Sequence, residues 1–431
     1  MKNPTSTCGI LSAALLVAPA IAAVPDYAAV ELQARSNLIV NDDGYNVPPG
    51  TSFNSISANL NDDAKVAFTA GVVPIGGDLS RSGAGLWLGG HGSGGFVAIH
   101  ESAYVDGSMI IADRPGINAH GAIAYYTSDD GGPYTLRRYD PVTNTSAPVS
   151  VLPLTPSSFQ NPDITDGGLI GFKGRMGLGY GIGTGGTGAG TLYAVDTSVD
   201  AGSGYAYLYS PATNNAGQIA VKVSTSDYNH NELRLFNGFG NSSRLVADAA
   251  TEPASAFAAF DNGLRVNDHG AVAVVLRLVS GGVRAVYRFT PGAGGITATE
   301  IARVQAGGPV RVIDSFAPAI NDDGLVVFRG EDANGQAIFA GDGTRLVRVI
   351  GKGDVVATDL GSGQLGQHDT SPIFSGAPAL NRHGDIAFVA GLHPQGNNQV
   401  EWGSGVFVVY AARDSLDDTI FKNGFDPAAP D

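Results

Sequence analysis

One eight-residue pattern recurs along the whole chain and decides what it can fold into. It reads NDDAKVAF from Asn61, NAHGAIAY from Asn118, NNAGQIAV from Asn214, NDHGAVAV from Asn267, NDDGLVVF from Asn321 and NRHGDIAF from Asn381, with TDGGLIGF from Thr165 filling the one gap. The starts are 57, 47, 49, 53, 54 and 60 residues apart. A period near fifty is the length of one propeller blade. Proline stands three residues before the start in five copies, at Pro115, Pro162, Pro211, Pro318 and Pro378.

The pattern has a local reading. An asparagine or threonine oxygen at the first position (Asn61, Asn118, Thr165, Asn214, Asn267, Asn321, Asn381) can accept a backbone hydrogen bond from two residues on. Glycine at the fourth (Gly121, Gly168, Gly217, Gly270, Gly324, Gly384) supplies a positive φ. The first copy has Ala64 there. An alanine at positive φ costs roughly 1–2 kcal/mol, which predicts a distorted turn. A strand apolar on both faces follows each turn, as in a sheet buried on both sides. Two further apolar segments come next, for example GLWLGG from Gly85 with FVAI from Phe96, and AIFAGD from Ala337 with LVRVI from Leu346. With the short strand before the turn, each period holds four strands. Seven such units predict an all-β, seven-bladed β-propeller; a β-solenoid or open array of modules is the rival. The last copy stops at Tyr410 without a fourth strand, while SNLIVNDDG from Ser36 is an orphan at the other end. An N-terminal strand from Ser36 onward completing the last blade would close the ring and remove open sheet edges.

Composition agrees. The 431 residues include 61 glycines, and 33 aspartates against 7 glutamates and 6 lysines. Aspartate and glycine belong to turns, glutamate and lysine to helix surfaces. Residues 1–22 read as a secretory signal, with Lys2, an apolar run from Ile10 to Val17 and the small-residue site Ala20–Ala22. The only cysteine, Cys8, lies inside that signal and before its apolar run, so a lipid anchor is not expected. The domain then spans 23–412 and forms without disulfide or thiolate chemistry. No other apolar run reaches membrane-span length. A net charge of −15 argues against nucleic acid and anionic lipid as partners.

These copies resemble the N-x-x-G-x-x-A-F tandem-repeat proteins, a bacterial family of exported proteins. The resemblance includes a linker like G-D-x-x-P-G before phenylalanine, seen as NDDGYNVPPGTSF from Asn41 and more loosely as GKGDVV from Gly351. It implies export and a repeat-built β fold, and no activity. The usual apolar anchor with a basic tail is missing. Residues 413–431 instead carry IFKNGFD, similar to a short I-F-x-x-G-F-[DE] ending of some exported bacterial proteins; a secretion or retention tag and a docked terminal strand are both open.

For function, the repeated turn tips read as structural, since their third position varies freely (Asp63, His120, Gly167, Ala216, His269, Asp323, His383). The long connections, expected on the opposite face, are better ground. Asp42, Asp43, Asp78, Arg81, His100, Glu101, Asp227, His230, His368 and Asp369 are the candidates there for a metal, a sugar or acid/base work. No nucleophile elbow, zinc helix or complete calcium loop occurs. Asp129–Gly131 and Asp332–Gly335 are fragments of a calcium pattern, so an incidental Ca²⁺ stays open and no other cofactor is evident. The glycine run from Gly174 to Thr191 contains G-x-G-x-x-G without the following helix of a dinucleotide site, and reads as a mobile loop of the third blade. The expected function is that of an exported, monomeric, non-catalytic propeller binding a protein or glycan through its loop face. The alternative is a glycoside hydrolase or lyase with paired carboxylates near the central channel.

Overall fold

The N-x-x-G segments form seven near-identical turns. In each, the first residue's N–H donates to the carbonyl of the residue four on, from Asn61 to Lys65 (3.0 Å) through Asn381 to Asp385 (3.1 Å). The six glycines at the fourth position have φ between 74° and 90°. Ala64 takes the same region at φ 55° and keeps both turn hydrogen bonds, so the first turn is intact and not distorted. The computed structural model describes residues 23–36, 44–53, 56–73, 75–76, 78, 80–102, 110–111, 114–128, 133–367 and 372–413. The signal-like segment, the 414–431 part of the tail, and Asp42, Asp43, His368 and Asp369 lie outside them.

Each turn joins an inner strand to a second strand, and the chain then meanders outward. Blade 1 runs Thr51–Ser52 with Asn59–Leu60, Val66–Val72, Gly83–Gly90, Ser93–Glu101; blade 2, Ile110–Ile111 with Gly116–Ile117, Ile123–Ser128, Thr135–Asp140, Thr145–Pro148. Blade 3 is Ser158–Ile164, Ile170–Met176, Gly179–Gly185, Thr191–Val195; blade 4, Tyr207–Leu208 with Ala212–Thr213, Ile219–Ser224, Asn231–Phe236, Ser242–Ala247. Blade 5 is Phe257–Val266, Val272–Leu278, Arg284–Gly292, Gly295–Arg303; blade 6, Val312–Ile313 with Ala319–Ile320, Val326–Asp332, Gly335–Gly341, Leu346–Gly351. Blade 7 is Phe374–Leu380, Ile386–Pro394 and Gly403–Ala411, with a hairpin (Val355–Thr358, Gly361–Leu365) extending its inner edge. Proline has no N–H to give a ladder. Accordingly Pro115, Pro211 and Pro318 sit between the two pieces of a broken inner strand, and Pro162 and Pro378 fall within register shifts.

Two expectations need correction. The strand that completes blade 7 is Tyr27–Arg35, not the segment from Ser36, and it pairs antiparallel with Gly403–Ala411 (Leu32 with Phe407, Ala34 with Val406). Its last four residues, Leu32, Gln33, Ala34 and Arg35, are all buried, with Leu32 and Ala34 in the hydrophobic core. The glycine run is no loop either. Gly179–Gly185 is the third strand of blade 3, paired in register with Ile170–Met176. Its glycines are packing residues: a Cβ on Gly183 would come within 2.5 Å of the Thr191 carbonyl, and one on Gly181 within 2.8 Å of Met176 Sδ.

The core lies between neighbouring blades. The aromatic that ends the repeat pattern is buried at Phe68, Tyr125, Phe172, Phe328 and Phe388, and in three blades it stacks on the third strand. Those pairs are Phe68 on Trp87 (4.8 Å), Phe328 on Phe339 (5.4 Å) and Phe388 on Phe407 (5.3 Å). In blades 3, 4 and 6 the next position on the second strand carries a cation that reaches across to the following blade. Lys173 Nζ donates to Tyr207 Oη (3.2 Å), Lys222 Nζ to the Phe260 carbonyl (2.9 Å) and Arg329 Nη1 to the Gly376 carbonyl (2.5 Å).

The turn asparagines do the same at the channel. Each Asn Oδ1, and Thr165 Oγ1, accepts the N–H of the residue four on at 2.8–3.0 Å. Each Asn Nδ2 donates to a turn carbonyl of the next blade: Asn61 to Asn118, Asn118 to Thr165, Asn214 to Asn267, Asn267 to Asn321, Asn321 to Arg382 and Asn381 to Asn61, at 2.9–3.2 Å. Truncating a buried residue of this kind strands donors and acceptors at about 1–3 kcal/mol each. Asn267→Ala should therefore lower the urea midpoint by the equivalent of about 3 kcal/mol at constant m-value. His120→Ala, at an exposed turn tip, should cost less than about 1 kcal/mol; equal losses in the two variants would contradict this reading.

Candidate functional site

The meander sends the connection after every second strand, and after every fourth, to the face opposite the turns. The described loop candidates stand on that face, in two separate places. On blade 1, Arg81 makes a bidentate pair with Glu101 (2.8 and 2.7 Å), while Asp78 Oδ1 accepts from Ser80 N and Oγ (2.9 and 2.7 Å). The Ser80 bonds hold the Asp78 carboxyl below its ordinary range. His100 leaves that group and bonds Tyr125 Oη of blade 2 through Nε2 (2.7 Å). Burial, with Arg137 nearby, pushes its ring down to about 4. On blade 4, Asp227 Oδ1 meets His230 Nδ1 at 2.8 Å. Asp78, Arg81, His100, Glu101, Asp227 and His230 line neither mouth of the central channel. Among the described residues, no three His, Cys, Asp or Glu side chains stand close enough to hold a metal ion.

The channel itself is built from equivalent positions in all seven inner strands. At the turn face a cavity of about 220 Å³ is walled by the residue before each turn (Leu60, Ile117, Ile164, Thr213, Val266, Ile320, Leu380) and by the turns themselves. Its rim is acidic, and its carboxylates are engaged. Asp62, Asp166, Asp268 and Asp322 each accept the backbone N–H of the equivalent residue in the preceding blade at 2.8–3.1 Å, as Asn215 does at 2.7 Å. The second motif position thus forms an outer ring beside the asparagine ring.

The other end opens as a chamber of about 360 Å³. Four residues before each turn, its wall carries Ser57, Arg114, Asn161, Ser210, Gly263, Ala317 and Ala377, one from each blade. Gln160, Pro162, Arg265, Tyr126 and Phe316 complete the lining. Arg114 donates Nη2 to Asn59 Oδ1 (3.0 Å), but its Nε and Nη1 are buried with no partner among the described residues. Arg265 gives Nη1 to the Leu264 carbonyl (3.0 Å), and its Nε is likewise buried and unpartnered. Burial pushes the Arg114 guanidinium down, opposed by the Asp163 carboxylate, and pushes the Asp163 carboxyl up, opposed by Arg114. Neither arginine has a carboxylate at ion-pair distance among the described residues. Neighbouring Arg329, by contrast, is paired with Asp314 at 3.0 Å.

Sequence reasoning passed over Arg114, Asp163 and Arg265, although a signal for them exists. Four before the turn the other copies have small or amide side chains, and two before it they have Asn59, Gly116, Ala212, Ala319 and Ala379. A charge at either register is an exception to the repeat.

His100 gives this face a testable pH dependence. The folded ring stays neutral to about pH 4 and the unfolded one titrates near 6.5, so the unfolded chain takes up the proton first as pH falls. The stability contributed by the neutral ring is present above pH 6.5 and is lost between there and about 4. His100→Gln should flatten the fall in urea midpoint across that window; an unchanged slope would count against it.

No curated protein is similar to this chain. Among solved structures it is similar to TolB from Acinetobacter baumannii (15% identity, 61% of this chain on 58% of that one, TM-score 0.40). It is also similar to a Mycobacterium tuberculosis puromycin-hydrolyzing peptidase (12%, 89% on 57%, 0.45) and to the calcium-binding protein regucalcin from Agrobacterium tumefaciens (13%, 69% on 90%, 0.35). The chain thus spans less than three-fifths of the length of the first two. No helix among the described residues is long and apolar enough to cross a membrane. Residues 181–424, more than half of the sequence, match the Family of unknown function (DUF7453), and the chain belongs to that family.

Proposed function

We propose that this protein is an exported, monomeric, non-catalytic binding propeller that receives its ligand in the loop-face chamber of the central channel. One observation carries the reading. Of the four buried side-chain polar atoms without a partner among the described residues, three are guanidinium nitrogens of Arg114 and Arg265, and both residues line this one chamber. Buried donors are otherwise almost always satisfied, so these two arginines hold hydrogen-bonding capacity in reserve at the chamber wall, which a ligand there can draw on as the side chains turn toward it. The chamber also has the size and mixed lining of a small-molecule pocket. Export is supported by the Lys2, Ile10–Val17 and Ala20–Ala22 pattern, and by the resemblance of the repeats to exported N-x-x-G-x-x-A-F proteins. A hydrolase would need two carboxyl groups facing one pocket. Among the described residues no carboxylate lines the chamber, and the turn-face carboxylates are held by backbone amides.

Saturation-transfer NMR with a panel of monosaccharides, oligosaccharides and short peptides tests this. At least one probe should bind the wild type and be lost in both Ser210→Trp and Ala377→Trp, which fill the chamber from opposite strands, while each variant still melts cooperatively. Binding that survives both plugs, or turnover of a probe by the wild type, would overturn the proposal.

A further inference from the structure

We infer that the chamber is an oxyanion site for a carboxylated sugar of hexuronate size, with Arg114 and Arg265 clamping the carboxylate. This rests on the reading of the chamber as a binding site and adds the chemistry of what binds. Three features of the wall select that chemistry.

The first is charge. Arg114 and Arg265 contribute two positive charges and Asp163, beside Arg114, one negative, which leaves one positive charge unbalanced. Arg329 adds none, being paired with Asp314. A monoanionic carboxylate balances that excess, whereas a phosphate dianion overshoots it. The geometry agrees, because guanidinium forks match carboxylate oxygens in plane, and charge-assisted bonds of this kind are the strong ones.

The second is the remaining polarity. Ser57, Ser210, Gln160 and Asn161 bring hydroxyl and amide groups to the same wall, and these suit a ligand with several hydroxyls better than an aliphatic acid. Tyr126 and Phe316 add aromatic surface for the C–H face of a pyranose ring. The third is the setting. The chain carries a net charge of −15, and the opposite mouth of the same channel is ringed by Asp62, Asp166, Asp268 and Asp322. A basic chamber on such a molecule discriminates against extended polyanions, which the surrounding field repels, and still admits a single acidic group.

Isothermal titration of the full mature chain with sodium D-glucuronate, D-glucose and inorganic phosphate, paired with thermal melts, tests the inference. Glucuronate should bind one per chain and raise the melting temperature, glucose should give neither effect, and phosphate should bind more weakly. Arg114→Gln and Arg265→Gln should each weaken glucuronate binding at least tenfold, and Arg311→Gln, an exposed arginine outside the chamber, should not. Without ligand the two glutamine variants should melt at or above the wild-type temperature, because each removes a half-buried and incompletely paired charge. Variants that melt lower while keeping full glucuronate affinity would show a purely structural role and overturn the inference. So would tighter binding of phosphate than of glucuronate. A wild type that ignores every anion, yet captures a neutral saccharide lost in Ser210→Trp, would remove this inference and leave the chamber reading standing. Loss of all binding would remove both.

Discussion

The hydrogen bonds between neighbouring turns are the constraint on which the rest depends. A propeller blade cannot bury its two faces alone; each needs a neighbour, and the last needs the first. The turn asparagine meets that need in one side chain. Its Oδ1 closes its own turn and its Nδ2 holds the next, so local conformation and inter-blade spacing are set together. The seam between blades 7 and 1 uses the same bond, from Asn381 to the Asn61 carbonyl, which makes closure one more instance of the repeat. Only the junction after blade 3 departs, because Thr165 has no amide to donate. There the outer ring bond from Asp166 N to Asn215 and a Tyr193 Oη bond to the Gly217 carbonyl join the same blades.

A fixed turn also fixes the register of everything before and after it. Counting from the turn, the preceding residue lines the turn-face mouth, the fourth before lines the chamber, and the eighth after bridges to the next blade in blades 3, 4 and 6. The channel is therefore a stack of rings, each drawn from one column of the repeat. Arg35 of the closing strand makes a long-range ion pair, donating Nε and Nη2 to Asp359 at 3.0 and 2.9 Å.

Most of this was legible in the sequence, because repetition is the signal that pattern reasoning reads best. Blade number, the four-strand meander, the turns and the existence of an N-terminal closing strand all follow from the aligned copies. The errors share a cause. SNLIVNDDG from Ser36 resembles LVRVIGKGD, the segment holding the fourth strand of the sixth copy, yet the closing strand is YAAVELQAR, whose glutamate, glutamine and arginine hide it from pattern reading. The glycine run looked like a loop because composition does not report how closely the next strand approaches; at Gly183 that approach excludes a side chain. The loop candidates were chosen residue by residue for their chemistry, and Arg81 with Glu101, and Asp227 with His230, satisfy each other locally. What convergence exists lies in the columns of the repeat, at Arg114, Asp163 and Arg265.

Those three residues also show why a site stands out on a fold made of copies. At the registers of Arg114 and Arg265 most other copies supply a small side chain or an amide. Burying a guanidinium with two free nitrogens runs against that economy, since desolvation is repaid only by partners. Elsewhere the protein provides them: Arg329 has Asp314, the Gly376 carbonyl and the Phe316 ring, and Lys222 has a carbonyl, an amide and Tyr209. The contrast between cations whose bonds are closed by the fold and cations with donors left over beside a chamber separates the bridging column from the two columns that can recognise something else. An anion arriving there gains the bonds that the fold withholds, and its binding energy comes from groups already positioned and already stripped of water.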